Sequence, residues 1–143
     1  MHHDTRVSRL KSSSAIFVGF GLLLFLGLVT PLAGLMNLFI DLAFMPYDGA
    51  QITSSDPTQL MTAITGGMLA GWGLMFWLVT TRIYANDPTL GKTIMLPSIL
   101  IWFLLDSLVS VIVGAWFNVV MNADFLILIA GPILWPNPKS RTA

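Results

Sequence analysis

The sequence predicts an all-α integral membrane four-helix bundle with both termini in the cytoplasm, and three observations support this fold class. The 143 residues are 55% hydrophobic and 10% charged, with a mean hydropathy of +0.80, which is too apolar for an ordinary soluble domain. Four segments are long and apolar enough to cross a hydrocarbon core of roughly 30 Å, which takes about 20 residues of helix. The basic residues lie outside these segments, in the three stretches that would share one side of the membrane.

The first predicted element is a span that follows a polar N-terminal tail. The segments divide the chain into this cytoplasmic tail, four spans and a cytoplasmic C-terminal tail, at about residues 1–14, 15–36, 58–81, 94–116, 122–135 and 136–143. Apolar residues continue beyond the first span, and Pro31 predicts either a kink or a break followed by a short outer helix carrying Asn37 and Asp41. A secretory signal peptide is the alternative for this segment, but the apolar run is too long and lacks a small-residue cleavage site.

The second and third spans begin at an aspartate followed by a proline. In SSDPTQL, Asp56 is the expected N-cap, Pro57 suits the first helical position and Gln59 completes a capping box. In ANDPTLGK, Asp87 and Pro88 repeat the arrangement ahead of the third span. These local signals predict two helix starts.

Basic residues predict the topology, because Lys and Arg favour cytoplasmic loops. They lie before the first span, between the second and third, and after the fourth: Arg6, Arg9, Lys11, Arg82, Lys92, Lys139 and Arg141. The other two connections, PYDGAQITSSDP and NVVMNAD, contain aspartates and no Lys or Arg. Both termini are therefore predicted inside. This favours a complete crossing by the short fourth segment, which by length alone also fits a re-entrant segment.

The composition excludes several classes of chemistry. Without cysteine there is no disulfide, thiolate metal site or iron–sulfur cluster, and His2 and His3 lie too far from membrane depth for a bis-histidine haem. Zinc-protease, Ser-His-Asp and phosphate-loop patterns are absent, and no basic patch points to a nucleic acid. We therefore expect a lipid bilayer as partner, no cofactor and no metal. An enzyme is disfavoured, because one membrane aspartate without a base, nucleophile or metal is a poor catalytic set.

The third span holds a carboxyl group at membrane depth, within the run IWFLLDSLVSVIVGAW. Asp106 lies about 18 Å along the helix from residue 94, at 1.5 Å per residue. An ionised carboxylate facing lipid there would cost about 2.5 to 3.5 kcal/mol, so we expect it to face the bundle. Trp102, Ser110 and Gly114 share its face, because they recur at four-residue spacing.

Most other polar residues at membrane depth fall in the outer half of the predicted bundle. They are Asn37, Asp41, Gln59, Thr62, Thr65, Asn118 and Asn122. Together with the polar face of the third span, they predict a pocket that opens to the outer side of the membrane. The residues expected to bind a ligand in it are Asp106, Trp102, Ser110, Asn37, Gln59 and Asn122.

Two roles fit Asp106. It is either a protonated acid whose hydrogen bonds hold neighbouring helices together, each worth about 0.6 to 2 kcal/mol, or a carboxyl that contacts a ligand or carries a proton. No basic residue is predicted near it. A fixed anion is therefore disfavoured relative to a proton or a cationic ligand.

Small residues in the second span, AITGGMLAGWGLMFW, predict close helix packing. Ala63, Gly67 and Gly71 form one stripe, and Gly114 offers a further close approach in the third span. A neighbouring stripe contains Gly66, Ala70, Gly73 and Trp77. Packing within the chain is the favoured explanation, and contact between protomers of a homo-oligomer is the alternative.

Three segments resemble the small four-helix bacterial membrane proteins of the DoxX-like and BphX-like kind. They are GGMLAGWGLMFWL, WFLLDSLVSVIVG with Trp102, Asp106 and Ser107 in a W-x-x-x-D-S arrangement, and NADFLILIAGPIL, together covering about residues 59–134. The resemblance implies a four-helix fold in the bacterial cytoplasmic (inner) membrane and leaves the activity uncharacterised. Some relatives are tied to thiol or quinone redox processes, and a thiol role is excluded here because cysteine is absent.

Three functions are compatible with the sequence. The first is binding of a small or lipid-soluble ligand in the pocket around Asp106, and the second is an accessory or structural subunit of a larger membrane complex. The third is a cation-coupled exporter resembling the small multidrug resistance class, whose usual membrane carboxylate is a glutamate in the first helix. The exporter ranks last, because this chain has no glutamate and its deep carboxylate lies in the third span.

Overall fold

The protein is all-helical in the residues that its computed structural model describes, 2–44, 46–52 and 55–135. Its elements are α1 (His3–Val29), α2 (Ala33–Ala43), α3 (Asp56–Val79) with a π-helical extension (Thr80–Tyr84), α4 (Pro88–Ile112) and α5 (Trp116–Leu134). Four of them, α1, α3 with its extension, α4 and α5, are long and apolar enough to cross a membrane. The predicted helical fold with four candidate spans is confirmed. Lys139 and Arg141 lie outside the described residues.

Helix α1 begins much earlier than the sequence predicts. Residues 3–14, expected to be a polar tail, form its first turns, and Leu10 and Ser14 are completely buried there. Two serine hydroxyls donate to backbone carbonyls of the helix itself, Ser14 Oγ to Leu10 at 2.7 Å and Ser13 Oγ to Arg9 at 2.9 Å, and Ser13 Oγ also donates to the carbonyl of Leu128 in α5 at 2.7 Å. A polar stretch therefore continues the helix instead of ending it.

The chain breaks at Pro31, as the second of the two alternatives for the first segment predicts. The short helix α2 follows and carries Asn37 and Asp41. Asp41 is 1% exposed, and its carboxylate accepts the backbone N–H of Gly49 at 2.9 Å and that of Gln51 at 3.3 Å. This carboxylate thus ties the described part of the α2–α3 connection to α2.

The predicted start of α3 is displaced by one residue. Ser55, not Asp56, is the N-cap, and its Oγ accepts the backbone N–H of Thr58 at 3.4 Å. Asp56 instead occupies the first turn, where a carboxylate interacts favourably with the helix dipole. The N-cap of α4 is the predicted one, since Asp87 accepts the backbone N–H of Leu90 at 2.9 Å.

Helices α1 and α3 form the closest pair in the bundle, because glycines let their backbones meet. A Cβ atom on Gly21 would lie 2.4 Å from the backbone N of Ala70 and 2.5 Å from the carbonyl O of Gly66. Gly73 is equally confined, since its Cβ would lie 2.7 Å from the backbone N of Val18. The packed stripe of α3 is therefore the one that contains Gly66, Ala70 and Gly73.

The stripe predicted to pack, with Ala63, Gly67 and Gly71, does not form this contact. A Cβ atom on Gly67 or Gly71 would have nothing within 4 Å. Gly114 also faces open space and has φ +81°, so it serves the left-handed turn between α4 and α5 instead of a helix contact. Both stripes of α3 are rich in small residues, and their spacing alone cannot tell which one faces α1.

Helix α3 ends in the π-helical extension, which no sequence signal predicted. Its Tyr84 is 1% exposed, packs over Gly91 and stacks on the ring of His3 at 6.0 Å between centroids. Arg6 also reaches this end of the bundle and donates to the carbonyl of Trp135 at 2.6 Å. The starts of α1 and α4 and the ends of α3 and α5 are thus joined at one end.

Aromatic rings connect the five helices around the centre of the bundle. The connected rings are Phe17, Phe20, Phe39, Trp72, Phe76, Trp102, Phe117 and Phe125. Trp72 and Trp102 meet edge to face at 5.5 Å and link α3 to α4, which otherwise approach each other at few points. This sparse contact leaves space inside the bundle next to the rings.

Candidate functional site

A cluster of polar side chains joins α4 to α5. The Oδ1 atom of Asp106 accepts hydrogen bonds from Nδ2 of Asn118 and Nδ2 of Asn122, each at 2.8 Å, and from Ser110 Oγ at 3.2 Å. The two asparagines are four residues apart on α5 and so share one face of the helix. Asp106 and Ser110 have the same spacing on α4.

Each asparagine of this cluster uses its amide group twice as a donor. Asn118 Nδ2 also donates to Ser110 Oγ at 2.8 Å, and Asn122 Nδ2 to Ser107 Oγ at 3.3 Å. The amide oxygens of both asparagines and Oδ2 of Asp106 form no hydrogen bond with the described residues. Among the described residues, the side-chain polar atoms that are both buried and without a hydrogen-bond partner belong to Arg6 and Thr80. The three oxygens of the cluster have no partner and are not among these atoms, so each keeps some accessible surface.

The cluster lies at the wall of a partly open cavity of about 260 Å³ that is lined by residues of all five helices. Asp106, Asn118 and Asn122 line it, together with threonines and mostly apolar side chains. These are Phe20, Leu24, Met36, Phe39, Ile40, Thr58, Met61, Thr62, Thr65, Leu69, Trp102, Met121 and Phe125. Cavities of about 150 Å³ hold benzene, and drug-sized ligands occupy roughly 300 to 1,000 Å³. The cavity, called the central pocket below, therefore suits a small ligand of one or two rings.

A second cavity of about 640 Å³ adjoins the central pocket. It is a groove between α2 and α4, bounded by exposed apolar residues such as Val109 and Val113. Trp102, Asp106 and Asn118 line both spaces. Asp106 thus lies where the central pocket and the groove meet.

The predicted ligand residues are only partly brought together. Three of them, Asp106, Trp102 and Asn122, line the central pocket, and Ser110 lines the groove. Asn37 and Gln59 line neither space. Each of these two follows a pocket-lining residue by one position. Because one residue turns a helix by about 100°, each lies on a neighbouring face of its helix and outside the lining of the pocket.

Several lining residues were missing from the predicted ligand-binding set. Asn118 was predicted among the polar residues around the pocket but not as a ligand residue, although its four-residue spacing from Asn122 places both amides on one face of α5. No sequence signal could have identified the lining residues of α2, which are Met36, Phe39 and Ile40. Their position depends on how the chain turns at the break before α2. Helix packing brings them to the pocket.

A second carboxylate within a candidate membrane span, Asp124, lies on the opposite side of α5 from the cluster. It falls at the predicted start of the fourth span, at the end of the connection NVVMNAD. That whole stretch belongs to α5, and Asp124 follows Trp116 by eight residues or about 12 Å. Its side chain is exposed and forms no hydrogen bond or ion pair with the described residues. It does not line the central pocket or the groove.

Comparison with protein families, curated proteins and solved structures finds no match to this chain. Among the described residues, no three His, Asp or Glu side chains come together in a group that could hold a metal ion. What the protein does is therefore inferred from the central pocket and its polar wall.

Proposed function

We propose that this chain is a small integral membrane protein that binds a small, lipid-soluble ligand in its central pocket. The observation that supports it is an apolar cavity of about 260 Å³ whose wall carries the accessible oxygens of Asp106, Asn118 and Asn122. Apolar pockets with a few convergent polar groups are typical of ligand sites.

The same cluster also holds α4 to α5, but packing alone does not explain its open acceptors. In a purely structural network, buried polar atoms are satisfied by one another. Here the two amide groups use their donors within the cluster and leave their oxygens on accessible surface. A ligand that fills the pocket and donates to these oxygens would complete the network.

We also propose that both termini lie in the cytoplasm of a bacterial cell, with the protein in the inner membrane. The described basic residues cluster near one end of the bundle, where α1 and α4 start and α3 ends: Arg6, Arg9, Lys11, Arg82 and Lys92. Such charge favours the cytoplasmic side. Asp106 lies only six residues before the end of α4 at Ile112, about 9 Å from the opposite end. The pocket would then lie in the outer half. Membership of the DoxX-like or BphX-like group stays a prediction.

The groove between α2 and α4 offers a route from lipid to the pocket. Leu105, Val109 and Val113 line it and are more than half exposed. A ligand dissolved in the hydrocarbon could therefore reach Asp106 and Trp102 sideways, without crossing the polar outer surface. This entry suits a lipid-soluble molecule better than a strongly hydrated one.

Filling the pocket should abolish ligand binding. Thr62 lines the pocket, and its hydroxyl donates only to the carbonyl of Thr58 in its own helix, at 2.8 Å. Thr62→Phe is therefore expected to weaken binding of bromobenzene by tenfold or more, about 1.4 kcal/mol, because the added ring occupies the space. The measurement is heavy-atom quenching of Trp102 in purified protein, with Trp102→Phe identifying its share of the signal.

The matched control for this test is Ile64→Phe, which adds a ring to the exposed face of the same helix. It should leave bromobenzene binding unchanged. Equal quenching in the wild type and in both α3 variants would mean that the probe does not enter the pocket, and would contradict the proposed function.

A role as subunit of a larger membrane complex is the second candidate, and Asp124 is the observation that favours it. A carboxylate facing hydrocarbon costs about 2.5 to 3.5 kcal/mol, and such groups are usually covered by protein. On this chain Asp124 is exposed and has no described partner. A neighbouring membrane helix with a donor at the same depth would cover it.

Photo-crosslinking from the exposed Ile127, one helical turn beyond Asp124, tests this second candidate. We expect crosslinks to a single membrane protein in intact cells, lost in Asp124→Leu and kept in Asp106→Asn. Crosslinking that occurs only to lipid, in the presence of Asp124, would contradict the subunit role and leave ligand binding as the function.

A further inference from the structure

We infer that the ligand of the central pocket is an amphipathic amine, bound as its ammonium ion against Asp106. This inference rests on the proposed function and specifies the chemical class of the ligand. It follows from the kind of polar atom that the pocket presents, from the missing counter-charge and from the nature of the apolar walls.

The polar atoms offered by the cluster are acceptors. Asn118 and Asn122 direct their N–H groups to Asp106 Oδ1 and to two serines, so only their amide oxygens are left for a ligand. Turning either amide over would place an oxygen against Oδ1 of the carboxyl group and lose both hydrogen bonds. Oδ2 of Asp106 is the third oxygen without a described partner.

An ammonium group complements these atoms. It has three N–H donors, no acceptor and one positive charge, and the cluster has three oxygens available to accept. None of the described residues that line the pocket is Lys, Arg or His, and Asp106 forms no ion pair with a described residue. A bound ammonium ion would supply the missing counter-charge, whereas a ligand carboxylate or phosphate would meet the carboxylate of Asp106 and no cationic side chain among the described lining residues.

The mostly apolar walls of the pocket favour an organic cation over a metal ion as the ligand. Beyond the cluster, the pocket is bounded by three threonines, by methionines and by aromatic rings that include Phe20, Phe39, Trp102 and Phe125. Ring faces attract cations and bury apolar carbon, whereas a metal ion such as Ca²⁺, which takes about six to eight oxygen ligands, would find one carboxylate among the described lining residues, that of Asp106. An amine with an aromatic or aliphatic body satisfies both parts of the pocket.

A set of three isosteric probes tests the assignment. They share a naphthylethyl body, which suits the one or two rings that the pocket can hold, and end in an ammonium, a hydroxyl or a carboxylate group. Binding to the purified full chain in detergent is measured by calorimetry, with titrations into empty micelles subtracted. We expect the ammonium probe to bind at least about tenfold more tightly than the alcohol, as hydrogen bonds to charged groups imply, and the carboxylate to bind weakest.

Asp106→Asn is the decisive variant, because it changes little in shape. Its amide oxygen can still accept from Asn118 and Asn122, while the atom in the place of Oδ2, which has no described partner, becomes an N–H donor. The ammonium probe should lose about tenfold or more in affinity, and the alcohol should change by no more than about threefold. Asp124→Asn removes an exposed carboxylate of the neighbouring helix and should change neither affinity.

The outcomes separate this inference from the proposed function. Equal affinity for amine and alcohol, or tightest binding of the carboxylate, would overturn the amine assignment and leave the pocket as a ligand site. Failure of all three probes, with bromobenzene still quenching Trp102, would also overturn it. If bromobenzene also fails to quench Trp102, the proposed ligand-binding function itself is contradicted. The affinities of the three probes for the wild-type protein test the preference for the amine even if Asp106→Asn does not fold.

Discussion

Gly66→Ala is expected to destabilise the protein by about 3 kcal/mol, the upper end of the range for overpacking. Its Cβ would lie 2.8 Å from the carbonyl O of Gly21 and 3.1 Å from the backbone N of Phe25. Both contacts are with the backbone of α1, which no side-chain rotation can move away. The only relief is to separate α1 from α3, the closest helix pair of the bundle.

The neighbouring substitution Gly67→Ala is the matched control. Its Cβ meets nothing within 4 Å, and alanine in a helix interior is favoured over glycine by roughly 0.5 to 1 kcal/mol. Unfolding of both variants in mixed micelles should therefore show opposite changes. If Gly66→Ala is as stable as wild type, the α1–α3 contact is not as close as described. A loss of stability in Gly67→Ala alone would reveal a second copy packed against that face.

Asp106→Leu is expected to reduce the free energy of unfolding by about 1 to 3 kcal/mol. Leucine removes the shared acceptor of Asn118 and Asn122, and each amide keeps only one serine as a partner. Interhelical hydrogen bonds in membranes contribute about 0.6 kcal/mol on average and up to roughly 1.7. The expected loss is the sum over the two amide bonds and the weaker one from Ser110.

The same substitution at Asp124 should behave differently, although both aspartates lie at membrane depth. Asp124 forms no hydrogen bond with the described residues, so Asp124→Leu removes an exposed carboxylate without breaking a contact. We expect the unfolding midpoint of the purified chain to be unchanged or raised. Equal loss of stability in the two variants would show that a general effect of charge removal, and not the α4–α5 cluster, accounts for the result.

The helical architecture could be predicted because the length and hydropathy of each segment, compared with the thickness of a bilayer, identify a candidate span without reference to the rest of the chain. Pro31 predicted either a kink or a break, of which the structure has the break that precedes α2, and Asp87 predicted the start of α4. The start of α3 was displaced to Ser55, since serine and aspartate are both good caps. The π-helical extension had no local signal in TTRIY, which contains neither glycine nor proline.

The candidate site was predictable in part for the same reason. Asp106 had to be shielded from lipid, and its four-residue spacing from Trp102 and Ser110 placed these residues on one face. Which other helix would supply its partners depended on helix order and rotation. Both asparagines were predicted near the pocket, but of the two only Asn122 was predicted to bind a ligand, yet both donate to the same oxygen atom of Asp106.

By itself, the sequence determined the number of candidate membrane spans, the charge difference between the two ends and the position of Asp106 along the third span, because each follows from composition along one helix. Only the tertiary structure decided that Gly66 and not Gly67 meets α1, that the cluster leaves acceptors free and that Asp124 faces outward. Those features depend on the rotation of each helix about its axis. That rotation is set by side chains far apart in the chain that pack together, and spacing within one helix does not encode it.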